Sequence, residues 1–431
     1  MSENSIATRK MKHSGVEWIG EIPEDWEITT YRRLLNRRKE YDDQDKQVLS
    51  LTIQGVKVKN ENYGKMAEDF TGHQIVKQGD LVFTPRDFDA TPILSGIAPC
   101  DGCISNLYFV LYPHNISETF IPFINYFMWG VKWGGDIWKR LSYGMRFSYN
   151  FQQFGALPIA VPPIDTQRRI ADFLDDKCGK IDRYMEKQQQ TIDKLKEYKQ
   201  AVITEAVTKG LDPDVPMKDS GIEWIGMIPE HWENRKVISI LAMRVVDGSH
   251  ESPELFDEGI PYISATAIVN GKIDFSQKRG FISPEYCDIC DQRYVPQLDD
   301  ILMIKLGAST GQVAMVETTD RFNIWVPLAA IRCNESACPK FVYYAFQSDY
   351  FIKQMQLSWT YGTQQTLGVK TIERLRILMP LVEEQKQIAD YLTERRKLID
   401  TSIEKYQQIV DKLTEYKKSL IYEAVTGKLE V

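Results

Sequence analysis

Two stretches of the chain place apolar residues at the spacing of a long helix. From Gln167 to Lys209 there is no proline, and Gly179 is the one glycine. One line of positions runs Leu174, Ile181, Gln188, Leu195, Val202; the other runs Ala171, Cys178, Met185, Ile192, Lys199, Ala206. This is the seven-residue period of a helix that buries a narrow seam against another helix. Shifted by 218 positions, the pattern returns as Leu392, Ile399, Tyr406, Leu413, Leu420 and Ala389, Arg396, Ile403, Val410, Lys417, Ala424. Each stretch spans about 43 residues, or roughly 65 Å as a helix. That is long for a helix lying on its own domain, so the pattern predicts a helix–helix seam. Its apolar members are Leu174, Ile181, Met185, Ile192, Leu195, Val202, Leu392, Ile399, Ile403, Val410, Leu413 and Leu420. Gln188, Lys199, Arg396 and Lys417 interrupt it, and polar seam residues set register.

The blocks between the helices read differently. Short β-branched or apolar runs, "DLVFTP", "LYFVLYP", "PYISATAIV" and "DDILMIK", are punctuated by Gly and Pro, which are strand and turn signals. Helical stretches are expected at "PFINYFMWGVKWGGDIWKRL" and "KFVYYAFQSDYFIKQMQL". The expected organisation is two mixed α/β (α+β) domains at 11–163 and 217–380, separated by long helices at 164–210 and 381–428.

The whole arrangement is an internal repeat. "MKHSGVEWIGEIPEDWE" at Met11 returns as "MKDSGIEWIGMIPEHWE" at Met217, with thirteen of seventeen positions identical. "TQRRIADFL" at Thr166 matches "EQKQIADYL" at Glu384, and "DKLKEYKQAVITEAVTKG" at Asp193 matches "DKLTEYKKSLIYEAVTGK" at Asp411. A helix that delivers the chain from one domain to the next, and a second that buries its seam on the first, must run antiparallel. The repeat then has pseudo-two-fold symmetry. The repeated opening stretch is expected to dock on a helix end in each copy, with Trp18, Trp224, Trp26 and Trp232 as buried anchors.

Composition narrows the function. The chain has 431 residues, 43% apolar and 11% aromatic, with net charge −7: a folded protein of two or three domains and no general basic coat for DNA. Phosphate contact would need a local basic face or a partner. No apolar run approaches the roughly 20 residues that span a bilayer, and "MSENSIATRK" lacks a signal-peptide core; a cytoplasmic protein without membrane contact is expected. Seven cysteines do not suggest a disulfide framework. The pairs Cys100/Cys103 and Cys287/Cys290 fall in different predicted domains, so structural thiols are expected rather than zinc ligands. The motifs GxxxxGK[ST], GxGxxG and HExxH are missing, and so is the Asn-Pro-Pro-aromatic motif of adenine methyltransferases, which argues against catalysis by this chain.

"GVEWIGEIPEDWE" and "GIEWIGMIPEHWE", "PPIDTQRRIADFLD" and "PLVEEQKQIADYLT", and "DDILMIKLGASTGQVA" together resemble the specificity subunit of type I restriction-modification systems, an HsdS-like protein. The resemblance covers nearly the whole chain. It implies two target-recognition domains on an antiparallel two-helix coiled coil, with no catalytic residue in this chain. It implies binding to double-stranded DNA with a bipartite, asymmetric target, as part of phage defence. It also implies two methyltransferase subunits and further restriction subunits as partners. S-adenosylmethionine, ATP and Mg are expected on those partners, with no cofactor or metal here. The alternatives are a stand-alone DNA-modifying enzyme and a purely structural coiled-coil scaffold.

Candidate DNA-binding residues come from two loops. "SYGMRFSYN" aligns with "TYGTQQTLG" at the same offset of 218, pairing Tyr143 with Tyr361, Arg146 with Gln364 and Phe147 with Gln365. Arg suits guanine and Gln adenine in the major groove. Lys305 occupies the lysine of the family's DIL-x-x-K-x-G form; the first domain departs from it, with Pro85 there and Arg86 one step on. Lys57 and Lys59 in "GVKVKN" complete the set.

Overall fold

The computed structural model describes residues 9–41, 47–59, 72–87, 92–135, 137–142, 144, 147–361 and 365–431. Its contacts form two compact units. One is Met1–Gln189 with Gln407–Val431, and the other is Gln190–Tyr406. Each long helix therefore gives one half to each unit.

The two units share a plan. In the first, a hairpin (Met11–His13 with Glu21–Pro23) leads to the strand Glu27–Thr30, which pairs antiparallel with Pro158–Val161. Between them lies a four-stranded sheet of β1 (Leu35–Arg38), β2 (Leu81–Phe83), β3 (Ser95–Ile97) and β4 (Phe109–Pro113), in the order β1-β4-β2-β3. The second unit repeats the hairpin and the closing strand pair. Its sheet consists of β5 (Val246–Asp247), β6 (Ile301–Ile304), β7 (Val313–Met315) and β8 (Leu328–Ile331), in the matching order β5-β8-β6-β7. All pairings in both sheets are antiparallel. Helix α1 (Ile121–Trp133) packs within the first unit and α3 (Pro339–Gln347) within the second.

Strands β2 and β6 read LVF and ILMI and are buried at every position, so they take central places. A buried acid precedes each. Asp80 accepts from the Lys77 N–H and Asp300 from the Gln297 N–H, both at 2.9 Å, closing the turn into the strand. A buried carboxylate requires a cationic partner. Asp80 finds Arg38 of β1 at 2.8 Å and Asp300 finds Arg332, just after β8, at 2.7 Å. The copies kept the acid and recruited arginine from different strands.

The long helices are α2 (Ile164–Lys209, 46 residues) and α4 (Val382–Val425, 44 residues). Each begins with the same clamp. Gln167 is 1% exposed; its Oε1 accepts from the Phe120 N–H at 2.9 Å, and its Nε2 donates to the Glu118 and Pro162 carbonyls. Gln385, also 1% exposed, accepts from Cys338 N–H at 2.7 Å and donates to the Ser336 and Pro380 carbonyls. Phe120 and Cys338 are the residues before α1 and α3, so one side chain ties each domain helix to the start of its long helix.

Within each unit, the first half of one long helix meets the last half of the other, as in an antiparallel pair. In the first unit Lys417 donates to both carboxylate oxygens of Asp182 at 2.6 and 2.7 Å. In the second, Lys199 donates to Asp400 at 2.8 Å. Asp182 and Asp400 are repeat equivalents, as are Lys199 and Lys417, so one ion pair occurs twice with the helices exchanged. Half-exposed pairs contribute about 0–1 kcal/mol; their consequence is register. Gln188 is buried in the seam at 7% exposed. Arg396 leaves it, donating to the Tyr343 hydroxyl and the Asn270 carbonyl, and so holds the hairpin Ile268–Val269/Lys272–Ile273 on α4.

The seam does more than join two helices. Leu174, Ile181 and Leu420 are buried in one cluster with Ile19, Trp26 and Phe123, and Met185 and Leu413 pack at its edge. In the second unit Leu392 is buried with Trp232 and Phe341, with Val202 at the edge. Ile192 and Ile399 are buried, while Leu195, Ile403 and Val410 are half-buried. The outer parts of the helices thus belong to the domain cores. The repeated opening stretch docks where expected: Ala424 and Val425 join the cluster of Trp26, and Ala206 and Val207 that of Trp232. Both helix ends turn through a left-handed glycine, Gly427 (φ 73°) against Pro23 and Trp26, and Gly210 (φ 76°) against Trp232. The anchor expectation needs correction at Trp224, which is 40% exposed, and at Trp18, which is half-buried. Ile22 and Ile228, next to the prolines that end each hairpin, fill the interior instead.

The cysteines are free. Burial pushes the Cys287 thiol up to about 12. Among the described residues no group of three His, Cys, Asp or Glu is placed to hold a metal, and no helix is long and apolar enough to cross a membrane.

The clamp gives a direct test. Gln167→Ala strands one buried N–H and two carbonyls, and should lower stability by about 2 kcal/mol or more. Arg168→Ala, exposed on the next position, should stay within about 0.5 kcal/mol. Urea denaturation followed by tryptophan fluorescence measures both.

Candidate nucleic-acid interface

The two candidate loops of each unit meet. In the first unit β2 runs into Thr84, Pro85 and Arg86, and the Tyr149 N–H donates to the Pro85 carbonyl at 2.8 Å. In the second, β6 runs into Lys305, and the Leu367 N–H donates to the Lys305 carbonyl at 2.8 Å. Tyr149 and Leu367 are repeat equivalents at the 218 offset. The same junction of strand-end loop and post-helix loop is therefore built twice.

At the first junction a groove of about 530 Å³ is lined by Arg37, Arg86, Asn106, Tyr149, Asn150 and Phe151. The Tyr149 hydroxyl donates to the Trp138 carbonyl at 2.8 Å. Asn150 caps the short helix Phe151–Ala156 in a reciprocal box with Gln153, which fixes the loop's exit. Strain collects here. Asp87 (φ 59°) and Phe147 (φ 45°) both take left-handed backbone, which is costly for side chains with a Cβ, most of all an aromatic one. The Lys139 ammonium lies 4.8 Å from the Phe147 ring centre.

Arg37 is the residue that the sequence did not single out. Its guanidinium lies 4.5 Å from the Phe109 ring centre and 5.8 Å from that of Phe151. Its Nε is buried without a hydrogen-bond partner among the described residues, and burial lowers its pKa. Arg37 stands opposite Leu111, and Leu111 opposite Leu81. The matching register in the second unit puts Val245 in its place. No periodicity separates this arginine from its solvated neighbours Arg32 and Arg33; only the sheet register does.

At the second junction the Gly307 N–H donates to the Gln365 carbonyl at 3.0 Å, with Gly307 at φ 96°. Lys305 is drawn inward: 12% exposed, its Nζ lies 3.0 Å from Asp247 Oδ2. Asp247 also holds His250 at 3.0 Å and pairs with Arg293. Burial pushes the Asp247 carboxyl up, but Lys305, His250 and Arg293 outweigh it and hold it below the ordinary carboxylate range. His250 and Arg293 are 61% and 51% exposed. The cation presented to solvent beside this junction is thus Arg293, with the His250 ring next to it, while Lys305 neutralises the acid beneath. Arg279 stacks on Trp325 at 3.3 Å, a further flat cationic surface in this unit.

The remaining candidates lie elsewhere. Lys57 is exposed on the hairpin Leu49–Thr52/Gly55–Val58 and donates to the Gln54 side chain. Lys59 is half-buried where that hairpin ends, its N–H bonded to the Val48 carbonyl. The hairpin packs on β3 through Gly55 and Gly96, where a Cβ on Gly96 would stand 2.7 Å from Gly55. Tyr143, Arg146 and Gln364 lie outside the described residues, as does the side chain of Tyr361.

Asp247 makes the second junction sensitive to acid. Its folded pKa lies below the unfolded value of about 3.9, so the ionised form stabilises the fold above that value. This stabilisation is lost as pH falls through the native pKa. Lys305→Met removes the most buried of its cationic partners, and its acid-unfolding midpoint, followed by near-UV circular dichroism, should move to higher pH.

Residues 229–414 match the family model described as "Type I restriction modification DNA specificity domain". The chain is 25% identical over 397 residues to a putative type I restriction enzyme MjaX specificity subunit of Methanocaldococcus jannaschii, covering 87% of each. It is 26% identical over 237 residues to the type I restriction enzyme EcoBI specificity subunit of Escherichia coli, covering 53% of this chain and 49% of that one. A solved structure described as "Structural basis underlying complex assembly and conformational transition of the type I R-M system" superposes with a TM-score of 0.68 at 14% identity, covering 95% of this chain and 99% of that chain. At that identity the likeness is one of fold. The family model falls on the second half, and the internal repeat and shared strand order tie the first half to it. The chain is therefore HsdS-like: its second half matches a type I restriction modification DNA specificity domain, and over most of its length it is similar to a type I specificity subunit in sequence and to a type I R-M structure in fold.

Proposed function

We propose that this specificity subunit reads a bipartite, asymmetric double-stranded DNA target, one part at each loop junction, and carries two methyltransferase subunits, with restriction subunits joining them. The chain itself is non-catalytic in this reading; S-adenosylmethionine, ATP and Mg belong to its partners, and the assembly works in the cytoplasm. One observation carries the proposal: the same junction is built twice, on two sheets of the same strand order, and its side chains have diverged. Pro85 and Arg86 stand against Lys305 and Leu306, and Arg37 against Val245. A retained frame with altered reading residues is what two unlike half-targets require, because frame contacts position the reader and side chains at base edges discriminate. Arg37 is suited to guanine, since a guanidinium bonds O6 and N7 together.

Charge sets the affinity. Residues 217–380 hold 16 Lys and Arg against 20 Asp and Glu, so the second recognition domain attracts phosphate only locally, and partner subunits are expected to close the grip.

Mapping methylated adenines in host DNA with and without the chain tests the reading: a split motif should vanish when the chain is removed. Arg37→Ala should relax one half of that motif by about 1–3 kcal/mol per base contact and leave the other half intact. In gel shifts at equal salt, the isolated chain should bind the motif more weakly than the assembled complex.

A further inference from the structure

Among the described residues, two arginines lie within 4.5 Å of an aromatic ring centre, one in each unit. In the first unit it is Arg37, on Phe109. In the second it is Arg279, whose guanidinium carbon lies 3.3 Å from the Trp325 ring centre, the distance of a flat stack. Neither guanidinium has a hydrogen-bond or ion-pair partner among the described residues. The two arginines are not repeat equivalents. Arg37 lies on β1, whereas Arg279 lies in the segment that joins β5 to β6 (248–300), which is longer than its counterpart joining β1 to β2 (39–80).

Backbone bonds fix the stack from both sides. The Arg279 N–H donates to the Tyr262 carbonyl at 2.9 Å and the Trp325 N–H to the Ile263 carbonyl at 2.8 Å. Adjacent carbonyls of the strand Ile260–Ile263 thus hold both residues. That strand pairs antiparallel with Gly280–Ile282 and parallel with Asn323–Ile324. The Trp325 indole N–H donates to the Glu251 carbonyl at 3.2 Å, which sets the plane of the ring. The stack is also tied to the second junction: the Val326 N–H donates to the Ser249 carbonyl at 3.0 Å, and the Lys305 N–H to the Pro327 carbonyl at 2.8 Å. Three consecutive residues lead from the stack to Lys305.

The unpaired state of Arg279 sets it apart from its neighbours. Arg293 is engaged by Asp247, Arg321 by Asp288 and Asp291, and Arg332 by Asp300. Arg279 is half-buried, and the acids of the preceding loop, Glu251, Glu254, Asp257 and Glu258, leave it unpaired. A guanidinium flat on a ring carries its five N–H groups on its edge, free to bond in the plane of the fork. Acids close by repel a phosphate, and a flat fork held in one orientation suits the edge of a base.

We infer that Arg279, backed by Trp325, is a specificity-determining residue of the second unit, and that it reads a guanine of that unit's half-target through O6 and N7. This rests on the reading above and adds that the two half-targets are read from places that are not equivalent in the repeat. Arg37 reads from the shared sheet, and Arg279 from the segment in which the second copy is longer.

Mapping methylated adenines in host DNA from cells that carry the full-length chain as it stands, or with Arg37→Ala, Arg279→Ala or Arg279→Lys, tests this. Arg279→Ala should lower the preference for guanine at one position by about 10- to 100-fold. That position should lie in the half that Arg37→Ala leaves intact. Arg279→Lys should do the same, because lysine keeps the charge and loses the fork. Gel shifts of the unaltered chain with its methyltransferase subunits give a second measurement, using duplexes in which single guanines are replaced by 7-deazaguanine. One guanine in that half should lose binding when its N7 is removed. If Arg279→Ala leaves the motif intact, the inference falls while the proposed function stands. The same holds if Arg279→Ala lowers methylation equally at every site, or if Arg279→Lys restores the motif, since either result marks a phosphate contact. If Arg279→Ala abolishes methylation, the duplexes decide, and a half in which every guanine tolerates the replacement overturns the inference. If the unaltered chain gives no split motif, the proposed function falls and takes the inference with it.

Discussion

The rest of the structure depends on the burial of the outer halves of two long helices inside the recognition domains. Leu420, Ile421, Ala424 and Val425 are each no more than 7% exposed, in one cluster with Trp26, Phe123 and Leu174. Fully burying a side chain of the size of Leu, Ile or Val contributes about 1.5–3 kcal/mol, so this segment is part of the first unit's core and not an appendage to it. The second unit shows the same construction with Ile203, Ala206 and Val207 against Trp232 and Phe341. At Gly130 the approach is so close that a Cβ would stand 2.7 Å from Val425. A helix that a domain needs for its own core cannot swing freely on that domain.

On this base the polar contacts give precision. The buried glutamines at the helix starts satisfy backbone groups that would otherwise be stranded, and the buried acids before β2 and β6 hold the turns into the strands that lead to the candidate loops. Such contacts contribute modestly as pairs and are costly to break by halves. They leave the loops beyond them free to change. That is the division of labour a specificity subunit needs: one frame, made twice, carrying loops whose backbone junctions are equivalent and whose side chains are not. The strained Asp87 and Phe147 sit at such a junction, where surrounding contacts offset the cost of their backbone.

Where the sequence reading missed, the cause lay in side-chain neighbours distant along the chain. Trp224 belongs to a repeated stretch and is apolar, yet the hairpin turns it outward while Ile228 takes the interior. Lys305 lies at a strand end in a family-like motif, yet Asp247, 58 residues earlier, draws its ammonium inward and leaves His250 and Arg293 facing solvent. Arg396 follows the seam period, yet Tyr343 and the Asn270 carbonyl capture it. In each case local pattern gave the position and a distant partner chose the direction.

By itself the sequence determined the repeat, the two long helices with their register, the strand positions and the docking of each opening stretch on a helix end. All of these are written in periodicity, or in identities between the copies, and both survive as a linear record because each residue's neighbours on a helix or strand lie three, four or two positions away. Only the tertiary structure decided that Arg37 enters the groove where the other copy has a valine, that the two candidate loops of each unit meet through an equivalent hydrogen bond, and that an arginine from a different place in the sheet answers each buried acid. Those outcomes depend on which strands pair and in what register, and side chains brought together across a sheet leave no period in the chain.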